Sequence, residues 1–93
     1  MGVEVEQETY TLEEILATTK PSNRLILWND EINTFEHVIH CLMRYLQYSE
    51  SEASRIAWTV HTKGKCVVLE GSYTEMEVYR KILKTEGLTV SIE

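Results

Sequence analysis

The chain has 93 residues, of which 43% are hydrophobic and 26% are charged, as expected for one soluble globular domain with a modest core. Its net charge of −6 argues against a nucleic-acid-binding surface, which needs clustered lysine and arginine, and is compatible with a cationic ligand or a basic partner. The longest apolar runs have four residues, which is too short to span a membrane. The N-terminus lacks the basic and apolar order of a signal peptide, so we predict a cytoplasmic protein.

Residues 1–22 differ in composition from the rest of the chain. They contain five glutamates and one lysine, so five negative charges and one positive give −4 of the total −6. A possible helical turn within them is interrupted by the Thr-Thr-Lys-Pro-Ser run that ends at Ser22. We therefore predict a flexible acidic arm over residues 1–22 and one folded domain over residues 23–93.

The folded domain begins with a strand and a helix. An apolar run over residues 24–28, followed by turn residues, predicts the strand. Asn33, with Glu36 three residues later, matches the N-cap of a capping box for the helix. One face of this helix carries apolar residues at helical spacing, namely Phe35, Val38, Ile39, Leu42, Met43 and Leu46.

A second helix and a second strand follow. We expect the helix to begin at Ser49, with Glu52 at its third position, and to end at Gly64. Its apolar stripe consists of Ala53, Ile56, Ala57 and Val60. The apolar run over residues 66–69 predicts the strand.

The last part of the chain predicts a third helix and a final strand. Thr74 with Glu77 forms a second capping-box pattern, and Tyr73 against Val78 would be its hydrophobic staple. The helix is expected to end at Gly87. The final strand is predicted from the alternation of Leu88, Val90 and Ile92.

These elements follow the order β-α-α-β-α-β. Three strands and three helices in a domain of this size predict an α+β two-layer sandwich, in which the helices cover one face of a three-stranded sheet. The sequence contains no internal repeat and no low-complexity segment.

The reactive residues do not form a catalytic pattern. Cys41 directly follows His40, and neighbours in a helix point in different directions. Cys66 lies within an apolar strand, where a free cysteine is usually a small buried hydrophobe. Because no serine or cysteine stands in a motif with a base and an orienting acid, we predict that the protein is not an enzyme.

A metal site is the next candidate, because His37 and Cys41 share a helix face at a spacing of four residues. Zinc needs further ligands, for which His61 or Glu36 could serve, but the sequence has no closed ligand spacing. Gly64 between two lysines lacks the glycine spacing of a phosphate-binding loop. We therefore expect no metal and no cofactor, and reduced thiols at the two cysteines.

A cluster of polar acceptors remains, consisting of Asn29, Asp30, Glu31, Asn33 and His61. Single members have structural explanations, since Asn33 can cap a helix and Asp30 can close a turn. The apolar residues predicted to lie beside them are Phe35, Val38, Ala57 and Val60. Ammonium has three donors and no acceptor, and an amide carbonyl, a carboxylate and a neutral imidazole complement it. The combination predicts a site for an ammonium group that carries an apolar side chain.

Two motifs and their separation are the most specific feature of the sequence. The motifs are Leu27-Trp28-Asn29-Asp30-Glu31 with the following Glu36-x-Val38-Ile39, and Ala57-x-x-Val60-His61-x-Lys63-Gly64-Lys65. They resemble the ClpS adaptor family of the ATP-dependent Clp protease. The similarity runs from about residue 25 to residue 69, with a weaker match in the last strand.

This resemblance implies a receptor for N-degrons, which binds proteins whose first residue is Leu, Phe, Tyr or Trp. The receptor delivers them to a AAA+ unfoldase, ClpA or ClpC, for degradation by ClpP, and the acidic arm corresponds to an extension that helps delivery. Asn29 and His61 would bind the α-amino group, with Glu31 assisting through water. Asp30 would position the peptide backbone. The side-chain pocket would be lined by Phe35, Val38, Ala57, Val60 and Leu88, and the candidates for unfoldase docking are Glu75, Glu77 and Lys81.

The chain departs from the family pattern at two places near this site. The family usually has Asp where this chain has Glu31, and Thr-Pro-Met where this chain has residues 33–35. A longer contact between the amine and the glutamate is therefore expected. We expect the adaptor to be a monomer.

Two other interpretations stay open at this point. A domain of similar fold can bind a protein partner without reading N-termini, as ribosomal stalk-type domains do. Such a domain would not require Asn29 and His61 to face one another. The second alternative is a small metal-binding domain that uses His37, Cys41 and His61.

Overall fold

The computed structural model describes residues 22–93, so the acidic arm predicted for residues 1–22 lies, apart from Ser22, outside the described residues. The elements are β1 (Asn23–Trp28), α1 (Phe35–Leu46), α2 (Glu50–Lys63), β2 (Lys65–Gly71), α3 (Tyr73–Thr85) and β3 (Thr89–Ile92). Their order confirms the predicted β-α-α-β-α-β arrangement. None of the three helices described here combines the length and apolar composition needed to cross a membrane.

The first strand in the chain is the central strand of the sheet. The strand order is β2-β1-β3, and both pairings are antiparallel. Leu25 lies between Leu69 of β2 and Ile92 of β3, and the β1–β2 register shifts just after Leu25. Because β1 is central, the loop that follows it emerges between the ends of its two neighbours.

The core lies between one face of the sheet and all three helices. Leu25 and Leu27 point to the same face of β1, since alternate residues of a strand share a face, and each is at most 1% exposed. They belong to one buried cluster with Cys41, Leu42, Ala53, Ile56, Val60, Val68, Met76, Leu83 and Leu88. The two-layer α+β sandwich is therefore confirmed.

The N-cap of α1 is Thr34, so the prediction of Asn33 was wrong. The Thr34 hydroxyl accepts a hydrogen bond of 3.0 Å from the main-chain N–H of His37. Asn33 instead donates through its side-chain amide to Asp30, at 2.7 Å, and to the main-chain carbonyl of Gly87, at 2.9 Å. The side chain that the local pattern assigned to the cap is thus used by one bond within the loop and one tertiary bond.

The apolar face of α1 is narrower than its sequence suggested. Leu42 is fully buried, and Val38, Ile39 and Leu46 pack partly buried against the core. Phe35, the first residue of the helix, and Met43, at one edge of the predicted face, are 37% and 40% exposed.

The limits and the stripe of α2 agree with the sequence. The Ser49 hydroxyl accepts from the main-chain N–H of Glu52, and Gly64 ends the helix with its N–H bonded to the carbonyl of Val60. Gly64 has a φ of +94°, a conformation that favours glycine. All four predicted stripe residues are buried.

The N-cap of α3 is Ser72, two residues before the predicted cap. The capping box joins Ser72 and Glu75, so the pairing of Thr74 with Glu77 was wrong. Tyr73 and Val78 are 58% and 52% exposed, so the predicted staple does not form a buried contact. The cause is β2, which continues to Gly71 and brings Ser72 directly to the helix start.

Candidate ligand-binding site

The loop after β1 is held together by the Asp30 side chain. One carboxylate oxygen accepts from the main-chain N–H groups of Ile32, at 2.9 Å, and Asn33, at 2.8 Å. The other accepts from the Asn33 side-chain amide, at 2.7 Å, and from the Thr89 hydroxyl, at 2.8 Å. A carboxylate has about four acceptor positions, so these four bonds occupy them all. Asp30 therefore shapes the loop and has no acceptor position left for a ligand.

The protonation of Asp30 reflects these bonds. Partial burial by itself would raise the pKa of Asp30, because it disfavours the charged form. The hydrogen bonds from Asn33, Thr89 and Ile32 outweigh burial and lower the pKa from 3.8 to about 2. The carboxylate is therefore ionised at neutral pH, and the loop keeps its four bonds there.

A cavity of about 510 Å³ opens between this loop, the start of α1 and the end of α2. Its lining residues are Asn29, Asp30, Asn33, Thr34, Phe35, Val38, Ala57, Trp58, Val60 and His61. Ala57 and Val60 are buried and Val38 is half-buried, whereas Phe35 and Trp58 are exposed at the rim. The size is that of a site for one amino-acid residue or a small organic ligand.

The polar part of the lining includes two exposed side chains, those of Asn29 and His61, that do not take part in the bonds of the loop. The main-chain N–H of Asn29 donates to the carbonyl of Gly64 at 2.9 Å, which fixes the end of β1 beside the end of α2. Within residues 22–93, neither the Asn29 amide nor the His61 imidazole has a hydrogen-bond partner. Both can therefore bond to a ligand in the cavity, beside an apolar wall.

Most of the predicted site residues line this one cavity, and two do not. Glu31 is exposed and outside the lining. Leu88 is buried next to a separate void of about 20 Å³ under the loop, which is about the space of one water molecule. Leu88 thus lines this void together with Val38 and Val60, two residues of the cavity wall.

Sequence reasoning missed Thr34 and Trp58 as lining residues. Thr34 was hidden by the wrong N-cap assignment. Trp58 lies one helical turn before His61, and the centres of the two rings are 5.9 Å apart. An exposed tryptophan at this spacing from a candidate ligand-binding histidine was the signal that could have found it.

The residues proposed for docking lie on α3, but two of them have other contacts. Glu75 forms the capping box with Ser72. Glu77 accepts two hydrogen bonds from the Arg80 guanidinium, at 2.9 and 2.6 Å, and these bonds lower the pKa of Glu77. Lys81 is exposed. The docking role of these residues stays a prediction.

The metal-binding alternative required His37, Cys41 and His61 to lie together, and in residues 22–93 they do not. His61 lines the cavity, whereas His37 and Cys41 lie together with Glu86 in a group whose ligating atoms are all within 4.8 Å of one another. Sequence reasoning missed Glu86. The partner-binding alternative required no shared site for Asn29 and His61, yet both line the same cavity.

Comparison with known proteins places the chain among adaptors. Residues 18–91 match the family model described as "ATP-dependent Clp protease adaptor protein ClpS". The ATP-dependent Clp protease adapter protein ClpS of Thermosynechococcus vestitus is 36% identical over 72 residues, which cover 76% of this chain and 77% of that protein. The ClpS of Streptomyces coelicolor is 31% identical over 89 residues, covering 94% of this chain and 93% of that protein.

A solved structure shares the fold and shows a bound ligand. It is the structure of Agrobacterium tumefaciens ClpS2 bound to L-phenylalaninamide, with a TM-score of 0.71 and 26% sequence identity, covering 77% of this chain and 94% of that chain. The family model covers most of the chain, and relatives above 30% identity align over most of their own length. The chain therefore belongs to the ClpS family of adaptor proteins of the ATP-dependent Clp protease.

Proposed function

We propose that this adaptor binds the first residue of substrate proteins when that residue is Leu, Phe, Tyr or Trp and its α-amine is unmodified. The observation that carries the proposal is that the side chains of Asn29 and His61, which have no hydrogen-bond partner within residues 22–93, line one cavity together with apolar residues. The ligand of the related ClpS2, phenylalaninamide, has an α-amine, an aromatic side chain and an amide, as an N-terminal phenylalanine has.

The ammonium group is recognised by acceptors of different strength. The Asn29 carbonyl and a neutral His61 ring nitrogen each accept one of its three N–H bonds. Hydrogen bonds from the loop and from Thr89 occupy the acceptor positions of Asp30, so the neighbouring carboxylate of Glu31 supplies negative charge. Because Glu31 is exposed and outside the cavity lining, it acts through water.

The side chain of the first residue enters the apolar part of the cavity. Val38, Ala57 and Val60 provide the inner wall, and Phe35 and Trp58 border the entrance. Full burial of a large apolar side chain contributes roughly 1.5–3 kcal/mol, which small or polar first residues cannot match. Amine recognition and side-chain burial together give the specificity.

A peptide pair tests the proposal directly. A peptide beginning with Leu or Phe should bind, and its N-acetylated form should lose at least about 2 kcal/mol of binding free energy, since a hydrogen bond to a charged group contributes roughly 1.5–3 kcal/mol. Asn29→Ala should weaken the unmodified peptide comparably, whereas Glu70→Gln, an exposed change on β2, should not. Equal affinity for the acetylated and unmodified peptides would falsify the proposal.

We propose further that the bound substrate passes to a AAA+ Clp unfoldase of the ClpA or ClpC type, in the cytoplasm, and that the adaptor acts as a non-catalytic monomer. The family description as a Clp protease adaptor supports this step. The test is degradation of a fluorescent protein that begins with Leu by unfoldase and ClpP, with and without the adaptor. Asn29→Ala should abolish the adaptor-dependent part, and Lys81→Ala should reduce it while leaving peptide affinity unchanged.

A further inference from the structure

A second group of ligating side chains lies outside the cavity, where α1 meets the C-terminal end of α3. We propose that His37, Cys41 and Glu86 bind one zinc ion, which joins α1 to the end of α3. None of the three residues lines the cavity, so this site is separate from peptide binding.

The distances fit tetrahedral zinc. The Cys41 Sγ and the His37 Nε2 are 3.6 Å apart. Zn–S and Zn–N bonds of about 2.3 and 2.0–2.1 Å, at a tetrahedral angle, place the two ligand atoms about 3.5 Å from each other. The ligating atoms of all three residues lie within 4.8 Å of one another, so small side-chain movements complete the set.

The three ligands are held in place before any ion arrives. His37 and Cys41 are one helical turn apart on α1, and Cys41 is fully buried. The Tyr45 hydroxyl, also on α1, donates to one Glu86 carboxylate oxygen at 2.5 Å and leaves the other oxygen available. Partners of this kind orient metal ligands and are important for affinity.

The donor set selects zinc over the harder cations. Thiolate and imidazole suit zinc, whereas magnesium and calcium prefer oxygen ligands alone. One thiolate and one carboxylate balance the two charges of the ion, so the occupied site is neutral in a half-buried environment. The fourth position is open to a water molecule or to the main-chain carbonyl of Glu86, which lies 2.8 Å from the His37 Nε2.

Binding changes the protonation of two groups. The Cys41 thiol loses its proton to solvent and becomes the thiolate ligand. The His37 Nε2–H now points at the Glu86 carbonyl, so the imidazole proton moves to Nδ1 and Nε2 becomes a ligand.

Cobalt and zinc titrations of the full chain, without an affinity tag, test the site. Cobalt substituted for zinc should give one equivalent of a complex with the strong visible absorption of four-coordinate cobalt and a thiolate charge-transfer band in the near ultraviolet. Zinc should displace it. Cys41→Ala should abolish the charge-transfer band and weaken zinc binding by at least about 100-fold, since loss of an orienting partner alone costs 10–100-fold. Cys66→Ala, which removes the other thiol, should leave the charge-transfer band and the zinc affinity unchanged.

The same experiment can overturn the proposal. The proposal is wrong if cobalt bound to the unaltered chain gives no thiolate band. This measurement does not depend on whether Cys41→Ala folds. Loss of the band in Cys66→Ala would also contradict it, because the ligand would then be the other cysteine. Affinity for a Leu-initiated peptide should not depend on zinc.

Discussion

The Asp30 carboxylate accepts a hydrogen bond of 2.8 Å from the Thr89 hydroxyl, although the two residues are 59 positions apart in the sequence. The bond joins the loop after the central strand to the first residue of β3. The loop carries part of the cavity lining, so the shape of the candidate site depends on a strand that has no residue in it.

We expect the stability of the domain to fall as the pH drops from about 4 to about 2, because Asp30 becomes protonated in this range. The pKa of Asp30 is lowered from its ordinary value of 3.8 to about 2 in the folded protein. Its contribution to the free energy of unfolding is therefore complete above the ordinary value and is lost as the pH falls toward the folded value. After allowance for solvent screening of a partly exposed carboxylate, the loss is about 1 kcal/mol. Urea unfolding at several pH values measures it.

The matched variants separate Asp30 from other acidic groups. Asp30→Asn should cost about 1–3 kcal/mol at pH 7, since its amide nitrogen would face the donors of Asn33 and Thr89. The stability of this variant should also not show the loss between about pH 4 and about pH 2 that protonation of Asp30 causes in the parent chain. Glu31→Gln, at the adjacent exposed carboxylate, should resemble the parent chain in both respects. The assignment fails if the two variants have the same acid profile.

The start of α3 provides a second prediction. Ser72→Ala removes the hydroxyl that accepts from the main-chain N–H of Glu75, so the free energy of unfolding should fall by about 1 kcal/mol. Thr74→Ala, at the position that the sequence pattern favoured, should change stability by less than about 0.5 kcal/mol. Thermal or denaturant unfolding of the two variants, side by side, decides which serine or threonine is the cap.

The sequence predicted well those features that depend on neighbours within a few residues. The stripe of α2 and its limits at Ser49 and Gly64 follow from helical spacing and from the backbone conformation that glycine permits. Both capping errors arose because several residues near each helix start can act as a cap. At α1 the amide of Asn33 instead bonds the carbonyl of Gly87, 54 positions away, and at α3 the longer β2 brings Ser72 to the helix start.

The candidate site was predictable where its residues lie within the two motifs. Asn29 and His61 come from separate elements, but the motifs identified both. Glu86 was not predictable as a neighbour of His37, because 49 residues separate them and only the packing of α3 against α1 brings them together. Glu31 lies in the first motif, yet its side chain is exposed because residues 30–33 turn around Asp30.

A third prediction concerns discrimination at the rim. First residues Ile and Val should bind more weakly than Leu, because their extra Cβ substituent meets the Phe35 ring while the amine is held. Phe35→Ala should reduce the ratio of Leu to Ile affinity toward one. The control is Met43→Ala, which removes an equally exposed apolar side chain from the same helix outside the cavity. Fluorescence anisotropy with peptides that differ only in their first residue measures the ratio. An unchanged ratio in Phe35→Ala would place the source of discrimination elsewhere.

The last prediction concerns Ala57, a small buried residue in the cavity wall. Its size leaves space that a large aromatic ring can occupy, so Phe and Trp should bind at least as well as Leu. Ala57→Met fills part of that space and should weaken binding of Trp and Phe about tenfold more than binding of Leu, a difference of about 1.4 kcal/mol. Overpacking can also cost 1–3 kcal/mol of stability, so unfolding is measured on the same samples. Thr62→Met, on the exposed side of α2, provides the control for adding methionine to this helix. An equal loss for all first residues, or no loss, would show that Ala57 does not contact the ligand side chain.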